Sequence, residues 1–80
     1  MWDALRTWRL EEARRQELPP YVIFHDSTLL EVGRRRPISL TSLAIIPGVG
    51  ASKLERYGTA IIGIVAQKTL DPEALHAASP

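Results

Sequence analysis

Ile46-Pro47-Gly48-Val49-Gly50-Ala51-Ser52-Lys53-Leu54 is a tight glycine turn that feeds the longest apolar helical pattern in the chain. From Leu54 onward, Tyr57, Ile61, Ile62, Ile64 and Val65 fall with it on one broad face at 3.6 residues per turn. That pattern predicts a helix from about Gly50 to Lys68 with one buried side. Gly58 shares the buried side. A glycine inside a helix costs roughly 1 kcal/mol relative to alanine, so its place there predicts that another element approaches the backbone closely. Lys53, Arg56, Ala60, Gly63 and Gln67 lie opposite and are assigned to solvent.

The turn has a mechanical reading and a functional one. Pro47 pushes Ile46 out of the α region and ends the helix before it, while Gly48 and Gly50 can adopt positive φ. That suffices to join two helices. The same residues suit an anion, because Gly50, Ala51 and Ser52 would present free N–H groups at a helix N-terminus, where the macrodipole favours negative charge. Lys53 stands beside them. Helix-turn-helix connections need glycine in any case, so both readings stay open at this point.

Eighty residues make one small domain, which buries only about 60% of the surface its unfolded chain exposes. The expected core spans about 3–68, with a short helix or tail over 71–80. With no cysteine there is neither a disulfide framework nor a thiolate metal site, and a reducing cytoplasm is the expected home. The longest apolar run, Ala60 to Ala66, is far short of the ~20 residues of a membrane span. Ten basic residues against nine acidic ones leave almost no net field, so any nucleic-acid binding must be local. Arg34-Arg35-Arg36 form one cationic cluster and Arg14-Arg15 another, the second offset by Glu11, Glu12 and Glu17. Solvated helix ends are the ordinary explanation for such clusters.

Trp2 to Glu17 reads as an amphipathic helix with Asp3 in its first turn and Trp2, Leu5, Trp8 and Ala13 on its apolar side. Glu11 and Arg15 are expected to pair at i,i+4. Pro19 and Pro20 end this helix, and Val22-Ile23-Phe24 is expected to plug the core as a 3₁₀ or irregular turn, since no second strand is available to pair with it. Tyr21 follows two stiff prolines, which suits a ring held for stacking on a base, although it could equally cover the core with its hydroxyl in water. Asp26 is expected to cap a helix from Ser27 to about Arg35, carrying Leu29, Leu30 and Val32. Ser39 is expected to cap a short one from Leu40 to Ile46 that buries Leu40, Leu43 and Ile46. Asp71-Pro72 begins a last short helix. The whole is an all-α domain of about five helices.

Convergent catalytic chemistry is missing. His25 and His76 are far apart, neither shares a helical face with a carboxylate at ligand spacing, and Asp26 and Ser39 are explained as caps. No catalytic residue, metal or cofactor is assigned. The features left are a rigid tyrosine, a phosphate-friendly turn and scattered cations.

Taken in order, Leu5-Arg6…Trp8-Arg9, Pro19-Pro20-Tyr21-Val22-Ile23-Phe24, Asp26…Thr28-Leu29, Arg36-Pro37, Ser39-Leu40…Leu43 and Ile46-Pro47-Gly48-Val49-Gly50…Lys53-Leu54-Glu55-Arg56-Tyr57-Gly58 resemble the HRDC domain, the helicase and RNase D C-terminal module. The likeness covers residues 3 to about 68 and is greatest to the domain of bacterial RecQ DNA helicases. It implies a compact five-helix bundle that is neither motor nor nuclease. It also implies an auxiliary nucleic-acid-binding and regulatory role in a cytoplasmic, nucleoid-associated parent helicase acting in DNA repair and recombination. The glycine turn is similar to a helix-hairpin-helix element that grips phosphates through backbone N–H groups, and Tyr21 matches an aromatic position associated with single-strand binding. The resemblance therefore assigns Tyr21, Gly48, Gly50, Ser52, Lys53 and Arg56 to weak binding of single-stranded or branched DNA by a monomer, with Arg34, Arg35 and Arg36 as a second tier. The near-neutral charge supports an alternative: a regulatory domain docking on the parent's helicase core or another protein through Trp2, Trp8 and Glu12.

Overall fold

The computed structural model describes residues 1–69, which form five helices and no strand. These are α1 (Trp2–Gln16), α2 (Pro20–Ile23), α3 (Asp26–Arg35), α4 (Leu40–Ala44) and α5 (Ala51–Thr69). The all-α bundle expected from the sequence is thus observed, with α1 packed on α2, α3 and α5, and α4 packed on α5. The helix start expected at Asp71 lies outside the described residues.

Helix α1 ends before the prolines. Glu17 takes a left-handed conformation at φ 57°, its N–H bonds the Arg14 carbonyl at 3.2 Å, and the Leu18 N–H reaches back to Ala13 at 2.9 Å. This pair of bonds satisfies carbonyls that the last turn leaves open. The expected 3₁₀ or irregular plug is instead one α-helical turn, α2. Pro20 sits at its first position, where a missing N–H is harmless, and the turn delivers Ile23 and Phe24 into the core.

Two further expectations at the next junction are corrected. The N-cap of α3 is His25, not Asp26; Asp26 is the first helical residue, makes no cap bond, and pairs through Oδ1 with Arg9 Nη1 at 2.6 Å. The pair expected at Glu11–Arg15 forms between Glu12 and Arg15, one residue closer, and holds the Glu12 carboxyl below its usual range. Ser39 does cap α4, in a reciprocal box with Ser42.

The core takes Leu5 and Ala13 from α1, Ile23 and Phe24, Leu29 and Val32 from α3, Leu43 and Ile46, and Tyr57, Ile61 and Val65 from α5. Leu30 is half exposed, because α3 is too short and too near the surface to bury two faces. Leu40, expected inside, is 46% exposed, but its tip packs over Gly58, where a built Cβ would stand 2.8 Å from Leu40 Cδ2. The close approach inferred from that glycine is a side chain of α4 rather than a backbone.

Residue Arg9 is buried among these apolar groups. It stands four residues after Leu5 and four before Ala13, on the inward stripe of α1. Its Nη1 donates to the Phe24 carbonyl at 2.9 Å and is ion-paired with Asp26, while its buried Nε finds no acceptor among the described residues.

In the organising turn, the Val49 N–H bonds the Ile46 carbonyl at 3.1 Å across Pro47 and Gly48, and Gly48 has φ +93°. Proline then positive-φ glycine is the pattern of a type II turn. Gly50, expected to share this freedom, does not have positive φ. Thr28 Oγ1 donates to the Pro47 carbonyl at 3.2 Å and so straps the turn to α3.

Two stability predictions follow from these environments. A Cβ at Gly48 would meet Thr28 Oγ1 at 2.1 Å in a backbone region hostile to L side chains, whereas one at Gly63 meets nothing. Gly48→Ala is expected to destabilise by about 2 kcal/mol or more and Gly63→Ala to stabilise by about 0.5 to 1 kcal/mol, read from urea melts. Separately, Arg34 and Arg35 hydrogen-bond Glu31 and lower its carboxyl from 4.5 to about 2. A depressed folded-state value means stabilisation present above about pH 4.5 and lost as pH falls toward 2. Because the pair is exposed the effect is small; it is expected to vanish in Glu31→Gln when the two acid titrations of stability are compared.

Candidate nucleic-acid interface

Phe24 leaves α2 in an extended conformation and is fully buried. Its ring meets Tyr57 edge-on at 5.8 Å and Trp8 at 6.2 Å, and Trp8 meets Tyr57 edge-on at 5.6 Å. The three rings close a triangle between α1, the α2–α3 joint and α5. Lys53, assigned to solvent by its helical phase, is half-buried instead, with its ammonium 5.2 Å from the Phe24 ring centroid. Such a contact contributes on the order of 0.5 to 1 kcal/mol. It also lays the first turn of α5 against the connector that carries Tyr21.

Tyr21 is 60% exposed and stacks on His25, centroids 6.1 Å apart and planes 25° from parallel. Its ring therefore does not cover the core. Proline at the start of α2 and the buried Ile23 and Phe24 after it hold the backbone beneath the ring. The exposed Tyr21 and His25 thus flank Phe24 in sequence, and the Lys53 ammonium lies over the Phe24 ring.

The glycine turn opens α5 beside Lys53. The first helical bond runs from the Leu54 N–H to the Gly50 carbonyl at 2.9 Å, which leaves the N–H groups of Ala51, Ser52 and Lys53 without a helical acceptor. The Gly50 N–H before them donates to no backbone carbonyl among the described residues either. Gly48 and Ser52 are exposed, and no side chain stands over Gly50.

Arg56 lies one turn along α5, where it lines a shallow groove of about 410 Å³ with Glu12, Arg15, Gln16 and Tyr57. A neighbouring groove of about 270 Å³ lies between Trp8, Glu11, Glu12 and Arg15. Gln16 Nε2 donates to the Tyr57 hydroxyl at 2.8 Å across the first groove floor. The second-tier cluster is not brought to this face as free charge: Arg34 and Arg35 are both engaged by Glu31 at 2.6 to 3.0 Å, and Arg36 is the left-handed C-cap of α3. Trp2 and Trp8 are half-buried against the core and Glu12 is held by Arg15.

Sequence reasoning missed three residues here: Arg9, Phe24 as the ring beneath Lys53, and His25 as the second ring of the platform. The first had a signal, since Leu5, Arg9 and Ala13 repeat at four-residue spacing on the buried face. The other two depend on contacts between distant segments. Among the described residues no group of three or more His, Cys, Asp or Glu could hold a metal ion.

Residues 1–65 match the HRDC domain family. The chain is 42% identical over 65 residues to the ATP-dependent DNA helicase UvrD2 of Mycobacterium tuberculosis (strain ATCC 25618 / H37Rv), a stretch that is 81% of this chain and 9% of that protein. It is 36% identical over 65 residues to the ATP-dependent DNA helicase RecQ of Haemophilus influenzae, again 81% of this chain and 10% of the relative. The chain thus spans about a tenth of the length of the helicases it matches. Its fold is similar to the D. radiodurans RecQ HRDC domain 3, with TM-score 0.80 and 33% identity over 88% of this chain and 91% of that one. Helix order, the Pro-Gly turn and the match across nearly all of the described residues agree: the chain belongs to the HRDC domain family.

Proposed function

We propose that this HRDC domain is an auxiliary, non-catalytic nucleic-acid-binding module of an ATP-dependent DNA helicase of RecQ or UvrD type. In this reading it contacts single-stranded or branched DNA weakly and tunes which DNA the parent engages in repair and recombination. Its setting is then the cytoplasm, at the nucleoid. The observation that supports this reading is the exposed Tyr21–His25 ring pair flanking Phe24, whose ring carries the ammonium of Lys53 from a helix N-terminus with free N–H groups.

Tyr21 would stack on a base, backed by His25; Lys53 and the N–H groups at Ser52 and Lys53 would take the neighbouring phosphate; Gly48 and Gly50 would let the strand approach. Arg56 would meet the next phosphate along α5. A second reading, docking on the parent's helicase core, draws its support from Ile38 and Ile45, which are 87% and 70% exposed at the two ends of α4. It draws less from Trp2, Trp8 and Glu12, which are already engaged within the fold.

The test is a fluorescence titration of a labelled single-stranded oligonucleotide with the 80-residue chain at two salt concentrations. Tyr21→Ala is expected to weaken binding by 1 to 3 kcal/mol, about 5- to 150-fold in Kd, as loss of a stacked base does. Lys53→Ala is expected to weaken it and to reduce the salt slope by about 0.7, the share of one phosphate on a single strand. No binding at low salt, or binding indifferent to both substitutions, refutes the module and moves the search to the helicase core.

A further inference from the structure

We infer that Arg9 is a positioning residue that sets the angle of the Tyr21–His25 ring pair by clamping the backbone joint between them; its functional half rests on the nucleic-acid reading of Tyr21. The joint is short. Phe24 is the C-cap of α2, extended at φ −153° and ψ 145°, and His25 is the N-cap of α3, extended at φ −71° and ψ 154°. Rotation at these two residues turns α2, with Tyr21 on it, relative to His25 and α3. Arg9 Nη1 donates to the Phe24 carbonyl at 2.9 Å and forms an ion pair with Asp26 Oδ1 at 2.6 Å, one partner on each side of His25. A single guanidinium from α1 therefore holds both ends of the joint.

Packing alone does not call for arginine there. Position 9 continues the stripe of Leu5 and Ala13, and an apolar residue of similar volume would fill it without burying a charge, often at no loss of stability. What an apolar residue cannot do is hold two acceptors 15 and 17 positions away in sequence in a fixed geometry. A permanently charged guanidinium can, since its Nη1 stands between the two. Asp26 is itself mostly solvent-accessible, with 69% of its side chain exposed, so its carboxylate has water as an alternative; the pairing matters for where the joint points. With the clamp released, the rings sample a range of angles, and a base must order them on binding.

The measurement combines His25 ring-proton shifts by NMR, sensitive to the Tyr21 ring current, with a binding cycle of wild type, Arg9→Lys, Tyr21→Ala and the double variant. Arg9→Lys keeps the charge on a shorter side chain that does not carry its nitrogen to the Nη1 position; should it not fold, Asp26→Asn opens one side of the clamp from the surface. The His25 shifts of the clamp variant are expected to move toward those of Tyr21→Ala. Single-strand affinity is expected to fall about fivefold in the Tyr21 background and by less than about twofold once Tyr21 is Ala, the coupling usual for residues in one network. Unchanged His25 shifts overturn the inference, as does an equal loss in both backgrounds. If Tyr21→Ala itself leaves affinity unaltered, the nucleic-acid reading fails, and the His25 shifts alone decide whether Arg9 sets the rings.

Discussion

The fold turns on the burial of Phe24. Its ring is enclosed by Trp8 from α1 and Tyr57 from α5, its outer face lies beneath the Lys53 ammonium, and its carbonyl is held by Arg9. Side chain and backbone of one residue are thus fixed by two different helices, α1 and α5. Truncating a buried phenylalanine typically removes about 3 to 5 kcal/mol. That is a large part of the stability available to a domain that leaves much of its surface wet. The four-residue helix α2 exists on the same terms. Isolated helices so short do not form in water, and this one persists because its turn carries Ile23 and Phe24 inward.

A consequence is that core and candidate surface are not separate. Tyr21 lies on the single turn of α2 that Phe24 ends, and Lys53 covers Phe24 while opening α5. The rigidity of the outward face is inherited from the aromatic triangle beneath it. The Pro47-Gly48 turn adds a second anchor through Thr28, so that the start of α5 is tied to α3 as well as to α2. A small domain without cysteine can hold an exposed tyrosine at a defined angle only by such sharing, because it has no spare scaffold.

Much of this was legible in the sequence because it is local. The Pro19-Pro20 pair, the Ser39 cap, the Pro-Gly turn and the helical periodicity of α5 each act within one or two turns of chain, and each is found where its chemistry put it. Errors appear where a tertiary contact outbids a local preference. Asp26 has the composition of an N-cap, yet its carboxylate is taken by Arg9, so the cap passes to the His25 backbone and the side-chain bond is not made. Lys53 has the helical phase of a solvent residue, but a long stem lets its ammonium reach the Phe24 ring. Leu40 reads as core and instead lies half exposed over Gly58. The His25 platform could not be read at all, since stacking depends on the angle at a joint that no periodicity encodes.

The distribution of charge bears directly on what the face can bind. The chain is nearly neutral, yet its carboxylates are not spread evenly against its cations: Glu31 engages Arg34 and Arg35, Glu12 engages Arg15, and Asp26 engages Arg9. Among the described residues, Lys53 and Arg56 are in no such pair. Net charge therefore understates the local field at the start of α5, where the dipole of a 19-residue helix adds to the lysine. With so few free cations on the face, a bound strand would release few counterions, and its affinity would depend more on the stacked ring than on salt. On such a surface the orientation of Tyr21 outweighs the number of positive charges, which gives a buried arginine that orients it more consequence than an exposed one that could touch a phosphate.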